Sequence, residues 1–348
     1  MKGVKSEDLH NAVVSQLSEL KIFYLPKLKH IWNKDPQKVV SFQNLKDISI
    51  DRCRGLKDVF PTSIASSLSQ LKSLDISKCG VEKIVFVADQ GGAETINRFV
   101  FPRVETLKLV NLPNLTKFFP GMYTVEWPAL TELKASDWEI VMNILTNKEG
   151  HPQILFGKVL PNLVRLTLIG EGIAKTWQFP EDLICRLKCL RVELNQSTVI
   201  LSLDFLHRFH KMKMLKISGK SAPVDEEDEK GMSTLITNLD SCSDFKHIWK
   251  KESNMDHLVR LEIWDCYNLI NNLVPSSTSF RNLTTLYVRN CPSVTNIVTS
   301  STAKSLIQLK EMTVDYCKML TEVVAVDEGD DAKDYEIAFS QLKKLKSF

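Results

Sequence analysis

Four residues make the nearest approach to a metal site in this chain: Cys185, Cys189, His207 and His210, spaced C-x3-C-x17-H-x2-H. Thiolate and imidazole are the usual zinc ligands, but a zinc finger needs a shorter central gap and a wider histidine pair. The histidines also sit beside Phe205, Leu206 and Phe209, so ordinary half-buried side chains are the better reading. The acidic run DEEDEK at 225 to 230 lacks the alternating oxygen ligands and turn glycine of a calcium loop, and reads as a solvated loop. GKS at 219 to 221 has Met214 where the first glycine of a phosphate loop belongs, so no backbone cradle for ATP or ADP is expected in this chain. GxSxG, HExxH and the dinucleotide fingerprint do not occur. The chain is read as no enzyme, with no catalytic, cofactor-binding or metal-ligating residues.

Cysteine is nonetheless placed with regularity. Leu71, Leu74, Ile76 and Cys79 stand at offsets 0, +3, +5 and +8. The same order recurs at Leu45, Ile48, Ile50, Cys53; at Leu258, Leu261, Ile263, Cys266; at Leu283, Leu286, Val288, Cys291; and at Leu309, Met312, Val314, Cys317. Weaker copies begin at Leu17, Val104, Leu130, Leu163, Leu187, Met212 and Thr234, the last with Cys242 at +8. A further unit opens at Leu342 and stops at Phe348. Most starts are 22 to 28 residues apart, the period of leucine-rich repeats. Polar excursions at 89 to 98 and 327 to 334 lengthen two intervals and are expected to bulge as loops. A longer repeat is superimposed: an offset of 238 residues carries Phe42, Leu45, Cys53, Leu71 and Cys79 onto Phe280, Leu283, Cys291, Leu309 and Cys317.

These spacings dictate elements. In the alternation xLxLx, +3 and +5 point to one face of a short strand while +2, +4 and +6 point to the other. One unit cannot bury enough apolar surface to offset the ordering of its own backbone, so units must stack, strand beside strand. The expected fold is an α/β leucine-rich-repeat solenoid, a curved horseshoe. Its concave face is a parallel β-sheet, and irregular turns or short helices form the convex face, with +11 and +14 residues such as Leu56, Val59, Val294 and Ile297 turned inward. Residues 1–16 form a lead-in and 17–348 about 12 units plus an incomplete last one. The +8 residue lies where the chain leaves the strand, and cysteine suits it as a compact, mostly apolar side chain with a weak S–H donor. Repeat position thus accounts for six of the eight cysteines without metal or redox chemistry.

Composition agrees with a folded chain: 43% hydrophobic and 25% charged residues, with a formal charge of +3. That charge is too small for a nucleic-acid footprint. The N-terminus, MKGVKSEDLHNAVVSQ, has no secretory h-region and no run of 18 apolar residues follows, so a cytoplasmic location without a membrane span is expected, with thiols kept reduced.

The stretches CRGLKDVFPTSIASSLSQL, CGVEKIV and FVFPRVETLKLVNLPNL resemble the leucine-rich-repeat region of plant coiled-coil, nucleotide-binding disease resistance proteins. The resemblance implies a sensor and autoinhibitory module of an intracellular immune receptor, acting in defence through protein–protein binding. Its implied partners are a pathogen effector or a guarded host protein, and an NB-ARC switch domain. Neither the coiled coil nor the switch domain is visible in these residues, so ATP or ADP is expected only if an upstream nucleotide-binding domain exists. A chain that ends inside a repeat reads as a fragment or a shortened gene product. The alternative is a stand-alone repeat scaffold, decoy or adaptor without a switch domain.

If the chain binds a partner, the outward side chains of the strands are the expected surface. At +4 these are Lys108, Lys134, Arg191, Lys216, Glu262 and Tyr287; at +6, Trp264, Arg289 and Asp315; at +2, Arg260 and Glu311. The lysine column suggests an acidic partner. Trp264 and Tyr287 among arginines have the composition of an interface hot spot, with packing against a neighbour as the competing reading for Trp264.

Overall fold

The computed structural model describes residues 13–32, 40–86, 98–116, 118, 124–136, 160–169, 181–194, 208–219, 254–267, 269, 271–274, 278–327 and 339–347. The chain divides into two units, Met1–Leu163 and Val164–Phe348. In the first, the order is β1 (Val13–Val14), β2 (Glu19–Phe23), β3 (Val40–Ser41), β4 (Asp47–Asp51), β5 (Asp58–Pro61), α1 (Thr62–Ser67), β6 (Ser73–Ser77), β7 (Lys83–Phe86), β8 (Arg98–Val100), β9 (Thr106–Val110), β10 (Thr124–Glu126) and β11 (Glu132–Ala135). In the second, it is β12 (Arg165–Ile169), α2 (Glu181–Ile184), β13 (Cys189–Leu194), β14 (Met214–Gly219), β15 (Arg260–Trp264), β16 (Asn271–Asn272), β17 (Thr285–Arg289), β18 (Val294–Thr299), α3 (Ser300–Ser305), β19 (Glu311–Asp315), β20 (Glu322–Ala325) and β21 (Lys344–Lys346).

Both units are parallel leucine-rich-repeat solenoids. The main ladder of the first runs β2-β4-β6-β9-β11, and that of the second β12-β13-β14-β15-β17-β19-β21. Every one of these strands begins at +2 of its repeat, and pairing is in register, so +3 faces +3: Ile48 opposes Leu74, and Leu261 opposes Leu286. Leu45, Ile48, Ile50, Leu261, Ile263, Leu286 and Val288 are all buried, as the alternation requires. β14 pairs directly with β15, although a further repeat is spaced between them in the sequence, opening at Thr234. That stretch itself, with Cys242, lies outside the described residues, as do 89–97 and 328–334 of the polar excursions.

The return limb is more regular than irregular turns. Short helices are present, and beside them lie short parallel ladders: β5 with β7 and β16-β18-β20 just past the +8 turn, and β1 with β3 and β8 with β10 just ahead of the next repeat. Leu56, Val59, Val294 and Ile297 are buried on this side. A second apolar column stands at −3, comprising Phe42, Leu68, Phe101, Trp127, Phe209, Met255, Phe280 and Leu306, all buried. The carbonyls of Phe42, Leu68, Trp127, Phe209, Met255, Phe280 and Leu306 accept the N–H of the residue at 0 in a tight turn, as in Leu45 to Phe42 at 3.1 Å and Leu283 to Phe280 at 3.1 Å. Phe101 stacks on Trp127 with centroids 4.5 Å apart, and Phe118 meets the same indole edge-on.

The strand exits repeat as faithfully as the strands. Tyr24, Arg52, Lys78, Asn111, Asp265, Asn290 and Tyr316 all have φ between 51° and 57°, and all occupy +7. This left-handed step ends the strand and drops the +8 residue into the core. There the cysteine thiols donate as expected: Cys79 Sγ to the Ser77 carbonyl at 3.1 Å, Cys266 to Trp264 at 3.3 Å and Cys291 to Arg289 at 3.3 Å. Cys53, Cys79 and Cys291 also reach the +5 carbonyl of the preceding repeat, at 3.7 to 3.9 Å. Burial pushes the Cys79 thiol up to about 11. Cys291 and Cys317 are raised as well, each first through its hydrogen bonding with a neighbouring thiol and then by burial.

The 238-residue duplication is structural. It carries α1 onto α3 end for end, and the Ser67 hydroxyl, which accepts the Phe42 N–H at 3.2 Å, onto that of Ser305, which accepts the Phe280 N–H at 3.2 Å.

Candidate functional site

Every outward side chain singled out in the sequence lies on a strand of a main ladder, within β9, β11, β13, β14, β15, β17 or β19. Lys108 and Lys134 stand side by side in the first unit, and the other nine lie in the second. Two members of the basic column spend their charge inside the chain. Lys108 Nζ is 2.7 Å from Asp75 Oδ2, and Lys216 Nζ is 3.4 Å from Glu262 Oε2.

Around Lys216 the outward face of the second unit condenses into a cluster. In-register pairing places Lys216, Glu262 and Tyr287 in one row and Ser218, Trp264, Arg289 and Asp315 in the next. The Lys216 ammonium lies 3.1 Å from the centroid of the Trp264 ring, and that ring packs against Tyr287 at 5.2 Å. Arg260 Nε donates to Glu262 Oε1 at 2.5 Å. The side chains of Lys216 and Glu262 are only 11% and 9% exposed. Burial holds the Lys216 pKa below its ordinary value despite the nearby Glu262 carboxylate, and Arg191 adds to the lowering. The Trp264 ring thus packs against its neighbours, and the indole also lines a cavity. Glu262 and Asp315, expected as outward polar residues, do project to that face but are buried there, because long neighbouring side chains cover them.

The cavity, of about 430 Å³, is lined by Trp264, Asp265, Arg289, Asn290 and Tyr316. It is built from three successive repeats, each giving its +6 or +7 residue or both. The left-handed turn carries the +7 side chains to the rim of the sheet, where Asn290 Nδ2 donates to Asp265 Oδ1 at 2.8 Å and to the Tyr267 hydroxyl at 2.7 Å. Arg289 lies over the sheet, its guanidinium 5.7 Å from the Tyr316 ring centroid and its Nε 3.6 Å from Asp315 Oδ2. Trp264 Nε1 and Asp315 Oδ1 are buried without a hydrogen-bond partner. Asp265, Asn290 and Tyr316 escaped a reading confined to +2, +4 and +6. The available signal was Asn or Asp at +7 in Asn111, Asp265 and Asn290, residue types that tolerate the left-handed region.

The cysteine–histidine set is not brought together as a site by what is described. Cys185 is exposed, Cys189 Sγ contacts Met214 Sδ at 3.5 Å on the neighbouring strand, and His207 lies outside the described residues, as does the acidic run at 225 to 230. Among the described residues no group of three or more His, Cys, Asp or Glu side chains could hold a metal ion, and no helix is long and apolar enough to cross a membrane.

A family model described as plant disease resistance protein RPS2-like, leucine-rich repeats, matches residues 1–80 and 270–347. Over these segments, which together are just under half of the chain, the sequence is similar to the leucine-rich repeats of plant disease resistance proteins. The two segments contain the two halves of the 238-residue duplication. No curated protein and no solved structure matches the chain.

Proposed function

Taking residues 1–80 and 270–347 as repeats of the plant disease resistance type, we propose that this chain is the sensor and autoinhibitory part of a cytoplasmic immune receptor. In that role it reads a pathogen effector or a modified host protein and restrains an NB-ARC switch domain. Any ATP or ADP belongs to that domain, a reading supported by the lack of a GxxxxGK(S/T) motif in this sequence. Recognition is by protein–protein contact rather than by catalysis. The observation that supports this most is the Trp264–Tyr287 pair, ring centroids 5.2 Å apart, on the outward face of a parallel sheet among Arg260, Glu262 and Arg289. Aromatic and arginine side chains together are the usual composition of interface hot spots.

The test compares the proteins retained from plant tissue by the wild-type chain and by a Trp264→Ala, Tyr287→Ala, Arg289→Ala variant. Loss of a specific partner from the variant, with affinity reduced by about 30-fold or more, is the expected result. Identical partner sets from the two chains would place the binding surface elsewhere.

A further inference from the structure

We infer that the cavity at the rim of the second unit's sheet receives a single carboxylate, from an aspartate or glutamate side chain on a protein segment, with Arg289 as its anchor. This rests on the protein-recognition reading and names the chemistry of the partner.

The hydrogen-bonding capacity of the five lining residues decides the class of occupant. Asp265 Oδ1 is taken by Asn290, whose amide is divided between Asp265 and Tyr267. Arg289 is different. Its side chain is 46% exposed, and its Nε stands 3.6 Å from Asp315 Oδ2, beyond hydrogen-bond length. Arg260, on the neighbouring strand, shows the contrasting state, with its Nε donating to Glu262 at 2.5 Å. Arg289 therefore presents a planar fork of donors that suits a carboxylate in two-point geometry. The Trp264 indole N–H is a further donor without an acceptor. The lining carboxylate, Asp265, is less exposed than Arg289 and is engaged through Oδ1, and Asp315, just outside the lining, is 7% exposed in its side chain and lies under Arg289.

The walls set the context of that carboxylate. Trp264 on one side and the Tyr316 ring, 58% exposed, on the other provide flat apolar surface three repeats wide. A volume of about 430 Å³ is at the small end of ligand sites, enough for one acidic side chain and part of an apolar neighbour. Charge limits the choice further. Lys216, Arg260 and Arg289 are formally balanced by Glu262, Asp265 and Asp315, so the cluster tolerates one added negative charge but opposes a dianionic phosphoryl group.

The probe is the blocked pentapeptide Ala-Phe-Asp-Phe-Ala, titrated into the full chain labelled with 15N-tryptophan, the Trp264 indole signal being assigned from Trp264→Phe. Saturable displacement of that signal with a Kd at or below about 10 mM is expected, as befits one anchoring side chain. Replacing the peptide's Asp by Asn should weaken binding at least about tenfold, the difference between a charge-assisted and a neutral pair. Arg289→Gln should abolish the shift without changing the thermal melt. Equal binding of the Asn peptide, tighter binding of an Arg or phosphoserine peptide, an unaltered Arg289→Gln titration, or no shift with the Asp peptide would each overturn the inference. Should the peptide fail while the triple alanine change still strips a protein partner from the chain, only this inference falls and the recognition reading stands.

Discussion

Replacing Glu262 with Leu removes the carboxylate 3.4 Å from a Lys216 ammonium whose side chain is 11% exposed. Breaking one side of a buried pair costs about 3–5 kcal/mol, because the remaining charge is stranded. The Trp264 ring, 3.1 Å away, returns up to about 2 kcal/mol of that as a desolvated cation–π contact. With that return taken in full, the expected net loss is about 1–3 kcal/mol, or roughly a 5- to 150-fold fall in amide protection across β14 and β15. Lys216→Met should be milder, near 1 kcal/mol or about fivefold, because Glu262 keeps its 2.5 Å bond from Arg260. With both changes together neither charge is stranded, and the double variant should be more stable than Glu262→Leu alone. A pH signature follows. Burial holds the Lys216 pKa below 10.5, and removing Glu262, which opposes that shift, lowers it further. Between the folded and unfolded values the folded chain binds fewer protons, so its stability rises with pH across that window. The deficit of Glu262→Leu should therefore shrink as pH climbs towards 10.5. Hydrogen exchange of the two strands at several pH values reads all of this. Equal costs for the two single variants, or a deficit indifferent to pH, would refute the reasoning.

The inward and outward faces of one strand should separate cleanly in urea unfolding. Leu286→Ala, at a buried +3 position, should cost about 2–5 kcal/mol and Thr285→Ala, one residue away on the outward face, within about 0.5 kcal/mol; similar losses would contradict the register. With its thiol raised to about 11, Cys79 should be about a thousandth thiolate at pH 8 and should resist iodoacetamide, whereas exposed Cys185 should be alkylated readily. Mass spectrometry showing matched rates would count against the burial of the +8 column. Asp327 accepts the Ser301 N–H at 2.8 Å and the Ser300 hydroxyl at 2.9 Å at the start of α3; burial pulls its pKa up, but these bonds outweigh it and the net shift is downward from 3.8. Its contribution is present above that ordinary value and lost as pH falls through the lower, folded value. Asp327→Asn should accordingly cost about 1 kcal/mol at neutral pH and nothing in strong acid, as followed by the thermal melt.

Residues that act through their own repeat were legible in the sequence. The columns at 0, +3, +5 and +8 needed only period and hydrophobicity, and among the described residues they located every main strand to its first residue. The left-handed +7 step was hidden because Arg52, Lys78 and Tyr316 adopt it as well as Asn290 does, the ladder on either side fixing the backbone whatever the residue type. The candidate site was half legible. Periodicity gave the direction of Trp264, Tyr287 and Arg289, but the burial of Glu262 and Asp315 also depends on neighbours from adjacent repeats, Lys216 beside Glu262 and Arg289 beside Asp315, which no single unit encodes.

The duplicated block has a consequence for how such a chain acquires new specificity. Residues 47–51 and 285–289 occupy equivalent strands behind matching helices and matching serine hydroxyls, yet one carries Asp47, Ser49 and Asp51 outward and the other Thr285, Tyr287 and Arg289. Within a single polypeptide, the same frame has thus been furnished twice with unrelated contents. Transplanting either trio into the other strand exchanges surface chemistry between two hosts that are already alike, and a gene that copies such a block gains a blank template for recognition whose folding problem is already solved.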